Sequence, residues 1–164
     1  MGCCDNNNDI SQISSYTQID GIFGSNAEGC DICAINMKRF WCEYACSPHQ
    51  ADFLSLTKDF YPVPNPQNPE ETIMVQKVNL TVHADTACDI YDSCSRIGFV
   101  TSVSAMGSPA GFLTFQGHNA VNEAFQYIEV KFSNNYNESL YFSNSEKSPE
   151  KKALQQCNET SNKK

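Results

Sequence analysis

The residues of this chain that could do chemistry in a recognisable pattern are its cysteines. Four of the nine lie in the run Cys30-Asp-Ile-Cys33-Ala-Ile-Asn-Met-Lys-Arg-Phe-Trp-Cys42-Glu-Tyr-Ala-Cys46-Ser-Pro48, at spacings x2, x8 and x3. Four thiolates suit a tetrahedral structural zinc ion, and Cys30-x2-Cys33 is an acceptable first pair. Cys42 and Cys46 fit that use less well, because they fall inside a helical stretch rather than at a knuckle. Zinc there would also leave the other five cysteines unexplained. Disulfides are the expected use, and no metal site is expected. Nine is odd, so at least one sulfur lacks a partner inside the chain.

Other chemistry is thinly represented. The three histidines, His49, His83 and His118, are far apart, and none adjoins a nucleophile motif such as Gly-x-Ser-x-Gly. Phosphate loop, paired-carboxylate pattern and dinucleotide fingerprint are all missing, so neither catalytic residues nor a cofactor are expected. A thiol-dependent hydrolase ranks third among readings, since a cysteine in a disulfide-rich chain is more often a structural half-cystine. The net charge of −8, with 11 basic residues scattered singly, argues against a nucleic-acid partner. No stretch approaches the roughly 18–20 apolar residues of a membrane span. Heavy cysteine usage points to an oxidising compartment. Three sequons, at Asn79, Asn137 and Asn158, agree with it, because glycosylation needs a luminal or extracellular acceptor. The odd cysteine count and the lack of a signal peptide share one expected cause, a chain that is a piece of a longer precursor.

The elements that must position these residues follow from periodicity. Ile10, Ile13, Tyr16 and Thr17 recur at helical steps, predicting a helix over 9–18 with Asp9 as N-cap, followed by a loop over 21–29. Gln12 and Ser15 share one face of that helix beside Ile13 and Tyr16. A second helix is predicted over 31–45, stopped by Ser47-Pro48. Met37, Trp41, Tyr44 and Ala45, with Cys33, Ala34 and Phe40, form its apolar face, and Asn36, Arg39 and Glu43 fall opposite. Cys42 and Cys46 flank that face toward a different neighbour, so this helix should be central. Phe53, Leu54 and Leu56 continue the core, and the proline-spaced 61–69 segment reads as a loop. Strands are predicted over 73–80 and 127–132. Between them Ala87, Ile90, Tyr91, Cys94 and Ile97 mark a helix with Cys94 on its buried face, and the glycine-punctuated 102–117 makes loops or short helices. These elements make one α+β domain over 1–145, with 146–164 as a polar, poorly ordered end.

The run Cys30-x2-Cys33-x8-Cys42-x3-Cys46-Ser47-Pro48-x-Gln50, followed by Phe53-Leu54, closely resembles the N-terminal luminal domain of the Niemann-Pick C type 1 family. The likeness continues back to Cys3-Cys4-Asp5, forward to Tyr91-Asp-Ser-Cys94, and loosely to Cys157. It implies a disulfide-rich helical domain with a small mixed β-sheet, related to folate-receptor-like architecture. The implied function is to bind a sterol, hydroxyl end innermost, and pass it to the membrane-embedded remainder of a transporter. Implied partners are the sterol, that remainder and a small soluble sterol-carrier protein. The implied location is the lumen of the lysosome, late endosome or vacuole.

Taking 6–9 as an insertion, the resemblance puts the family's sterol-contacting glutamine on Gln12 and its threonine on Ser15, with Tyr16 alongside. The pocket aromatic falls on Trp41, a small neighbouring contact on Ala45, and a phenylalanine near the pocket mouth on Phe125. The implied disulfides are Cys4 to Cys46 and Cys33 to Cys94. Cys3 and Cys42 would then pair upstream of Met1, and Cys30 and Cys157 downstream of Lys164, while Cys88 has no counterpart. The competing class is a secreted or membrane-anchored cysteine-rich receptor domain, folate-receptor-like, that binds another small ligand or a protein.

Overall fold

A computed structural model describes residues 16–24, 31–65, 67–119 and 122–142 of the chain. Helix α1 covers 16–23, and helix α2, Asp31–Cys46, is followed by the single turn α3, Gln50–Phe53. The strands are β1 Leu54–Leu56, β2 Tyr61–Asn65, β3 Asn68–Val75 and β4 Val78–His83. Helices α4 Ala84–Cys94, α5 Gly98–Ser102 and α6 Pro109–Gln116 come next, then β5 His118–Asn119, β6 Asn122–Gln126 and β7 Ile128–Ser133.

Local chemistry sets several boundaries. Ser108 Oγ accepts the Gly111 N–H at 3.0 Å and Pro109 opens α6, its fixed φ already helical. His83 caps α4 in the same way, its Nδ1 accepting the Asp85 N–H at 3.2 Å. α2 ends at the residue before Ser47-Pro48, as its sequence requires.

The sheet is small and mixed. β4 is central, antiparallel to β1 (Leu54↔Leu80) and parallel to β7 (Val78↔Ile128 through His83↔Ser133). α2, α4 and α6 pack beside it around a core in which Cys33, Met37 and Phe40 of α2, Ile90 and Cys94 of α4, Phe112 and Leu113 of α6, and Leu80 and Val82 of β4 are almost wholly buried. The buried positions of α4, Thr86, Ala87, Ile90, Ser93 and Cys94, keep three- and four-residue steps. An α+β domain with a small mixed sheet is the expected class.

Several expectations are corrected. α1 runs to Phe23, through part of the segment read as a loop, because Tyr16, Ile19 and Phe23 extend one apolar face past Gly21. The 61–69 segment contains strand β2, which pairs with β3 in a separate hairpin. Pro62 and Pro64 are two apart, so the donors they lack both point away from the partner strand. The strand expected over 73–80 is two strands in two sheets, broken at Gln76 and Lys77. Leu56 is exposed rather than core, while Asn36 is buried. The 9–15 part of the first predicted helix and the 146–164 end lie outside the described residues.

Candidate functional site

On the helical side α1, α2 and α6 enclose a groove of about 320 Å³. Its apolar lining is Ile19, Ile22 and Phe23 from α1 with Trp41, Tyr44 and Ala45 from α2. Two amides, Gln18 of α1 and Gln116 at the end of α6, complete it. The spacing explains the lining: Trp41, Tyr44 and Ala45 are an i, i+3, i+4 set on one stripe of α2, and Ile19, Ile22 and Phe23 repeat that set on α1.

Aromatic contacts fix the walls. Trp41 lies edge-to-face with Phe40 at 5.2 Å and with Tyr44 at 5.4 Å, so the indole is held between two rings. Phe23 is edge-on to Phe112 at 6.1 Å, joining α1 to α6. Lys38 of α2 clasps Asp20 of α1, with Nζ 2.6 Å from Oδ2. Burial pushes the Tyr44 phenol up, so this ring faces the groove as a neutral group. At the foot of α2 the Gln50 amide donates to the Tyr44 carbonyl at 2.6 Å. Among the described residues Gln116 Nε2 makes only a long contact, 3.5 Å, to the Phe112 carbonyl. Its amide therefore retains most of its hydrogen-bonding capacity for something else.

Of the residues singled out from the sequence, Trp41 and Ala45 both line this groove. Tyr16 is half-buried and packs against the core, outside the lining. Phe125 belongs to β6, which pairs with β5 in a hairpin that follows α6. Gln12 and Ser15 lie outside the described residues, as do Cys4 and Asn158. Sequence reasoning missed Ile19, Ile22 and Phe23, although their spacing from Tyr16 was a usable signal. Nothing in the sequence marked Gln18 or Gln116.

The sulfur chemistry is that of disulfides. Cys33 and Cys94, both fully buried, are bonded to each other, with Cα atoms 4.9 Å apart. Cys42 and Cys46 are also disulfide-bonded. For Cys42 this is a correction, because the resemblance had left it without a partner inside the chain. Cys88 is free and exposed. Among the described residues no cluster of histidine, cysteine and carboxylate could hold a metal ion. Of the sequons, Asn79 lies within β4 and Asn137 within an exposed 3-10 turn.

Fold and groove together define a crosslinked α+β domain with an apolar, amide-edged groove between three of its helices. The family model of the Niemann-Pick C1 N terminus matches residues 1–164, the full length of the chain. The chain belongs to that family.

Proposed function

We propose that this chain is a luminal sterol-binding module of a Niemann-Pick C1-type transporter, and that it carries its ligand without changing it chemically. The observation that supports this most directly is the apolar groove between α1, α2 and α6, with Trp41 and Ala45 in its wall, in a chain matched over its full length by the family. A sterol is a rigid apolar body with one hydroxyl. Burying several hundred Å² of it at about 25 cal/mol per Å² supplies roughly 10 kcal/mol before association costs, against about 1 kcal/mol for one hydroxyl hydrogen bond. Rings and aliphatic side chains therefore set affinity. Amides set orientation, and Gln12 is assigned the hydroxyl, with Ser15, Tyr16 and Phe125 completing the site. The module receives sterol from a small soluble carrier protein and delivers it to the membrane-embedded remainder of its parent, in the lumen of the lysosome, late endosome or vacuole. Residues 1–145 form the working domain, and its fold is kin to the folate-receptor-like architecture.

The test is binding of a radiolabelled 3-hydroxysterol by the complete luminal domain. Saturable binding is expected, weakened ten-fold or more by Trp41→Ala, the factor that about 1.4 kcal/mol of lost contact produces. Binding that Trp41→Ala and Gln12→Ala both leave untouched would remove the site assignment.

A further inference from the structure

A second cleft, of about 630 Å³, opens beside the last turns of α2, where Glu43, Asp52, Tyr136, Asn137 and Tyr141 are among its lining. Its chemistry differs from that of the groove: two exposed tyrosine rings stand among carboxylates. The arrangement of those rings is specific. Tyr136 stacks on the buried His83 ring, centroids 4.0 Å apart and planes within 17°. Tyr141 is perpendicular to both, at 4.5 Å from Tyr136 and 5.0 Å from His83, so it stands along the edge of the stack. The outer face of Tyr136 is left open, and the residue is 55% exposed. Its hydroxyl donates to Asp85 Oδ2 at 3.3 Å, which fixes the ring's tilt.

Asn137 in this lining begins the sequon Asn137-Glu-Ser139. Its backbone is held in the turn Tyr136–Glu138 by the Asn135 side chain, which accepts the Asn137 N–H at 3.1 Å. Ser139 Oγ in turn donates to the Asn135 carbonyl at 2.5 Å. The side chain of Asn137 is therefore presented from a fixed turn at the mouth of the cleft.

We infer that Asn137 carries an N-linked glycan and that the cleft is the seat of its first sugars, with a pyranose face laid on Tyr136. The electron-rich face of an aromatic ring attracts the polarised C–H groups of a sugar face, and Glu43 and Asp52 accept hydrogen bonds from sugar hydroxyls. The attachment is a displacement at an anomeric carbon. The Asn137 amide nitrogen bonds to C1 of an oligosaccharide carried on a lipid diphosphate, the C1–O bond breaks, the lipid diphosphate leaves with the electron pair, and one amide proton passes to a base. Asn79, by contrast, lies in the central strand β4, flanked by Ser55 and Glu129, with no aromatic ring among those strand partners.

This rests on the luminal location proposed above and not on sterol binding, so sterol uptake without Asn137 occupancy, or the reverse, separates the two. The test uses the full chain secreted from a glycosylating eukaryotic host. Glycopeptide mass spectrometry is expected to find Asn137 occupied, and proton resonances of the first sugar are expected upfield of their free-glycan positions because of the Tyr136 ring current. The thermal midpoint should lie about 3 °C above that of Asn137→Gln. That difference should vanish in a Tyr136→Ala background, as a double-mutant cycle requires. An unoccupied Asn137, sugar resonances at free-glycan positions, or a midpoint difference that persists in Tyr136→Ala would overturn the inference. The resonance measurement needs only the unmutated chain, so it decides the matter even if Tyr136→Ala does not fold.

Discussion

Cys88 projects from α4 among Asp85, Asp89 and Asp92, and this setting governs its reactivity. Desolvation raises its pKa first, and the negative charges of Asp92, Asp85 and Asp89 raise it further. A raised thiol pKa means less thiolate at any given pH, and thiolate is the reacting species. Alkylation of the native chain by iodoacetamide at pH 8 should therefore run several-fold slower than that of free cysteine, and it should keep climbing at pH values where the free thiol has levelled off. Added salt, which screens exposed charges, or Asp92→Asn should speed it. A rate equal to that of free cysteine at pH 8 contradicts this. Asn36 is a residue that periodicity alone misplaces. Its position on α2 reads as a solvent face, yet it is buried, because its Nδ2 donates to Ser93 Oγ at 2.9 Å and Ser93 in turn donates to the Ile90 carbonyl at 2.7 Å. The bond joins two polar residues 57 apart and satisfies the Asn36 Nδ2, while the buried Asn36 Oδ1 has no partner among the described residues. No single window of sequence contains that information. Trp41 and Ala45 were legible because a family pattern and an apolar helix stripe both pointed to them, whereas Gln116 reaches the groove only through the tertiary placement of α6.

Among elements, α2 is held to its neighbours in two different ways. Toward α4 it is covalently fixed by Cys33–Cys94, a bridge across 61 positions of sequence. Toward α1 the contact includes the partly exposed Lys38–Asp20 pair, a class of interaction usually worth about 1 kcal/mol or less. Replacing Cys33 and Cys94 together by alanine should lower the unfolding free energy by about 2–5 kcal/mol in denaturant titrations. An unchanged midpoint would mean that packing alone positions α4. α2 and α4 were readable in advance because each carries an uninterrupted helical period. The break between β3 and β4 was not, because it is imposed from a distance. Thr57 donates its N–H to the Lys77 carbonyl at 2.9 Å, its Oγ1 accepts the Lys77 N–H at 3.0 Å, and its carbonyl accepts from Gln76 Nε2 at 2.8 Å. These bonds turn an alternating run out of one sheet and into another.

At the scale of the molecule, the two clefts open off different sides of the last turns of α2, one reached by Trp41, Tyr44 and Ala45, the other by Glu43 and Ser47. A sugar seated on Tyr136 leaves the groove between α1, α2 and α6 clear. The sheet that backs this arrangement depends on the parallel pairing of β4 with β7, registered from Val78↔Ile128 to His83↔Ser133 and extended by the Val82↔Leu140 bridge. Parallel neighbours cannot be joined by a tight turn, so α4, α5 and α6 all lie in the connection. During synthesis the central strand, already beside β1, is thus left waiting for its second neighbour until β7 has emerged, and long-range closure of this kind is slow. A chain stopped after Gln126 should lack cooperative unfolding in calorimetry even though every residue of the groove lining is present, while one stopped after Phe142 should regain it. The ribosome therefore releases the finished wall of the groove well before it releases the strand that keeps the wall standing, and oxidative folding machinery has that interval in which to join Cys33 to Cys94.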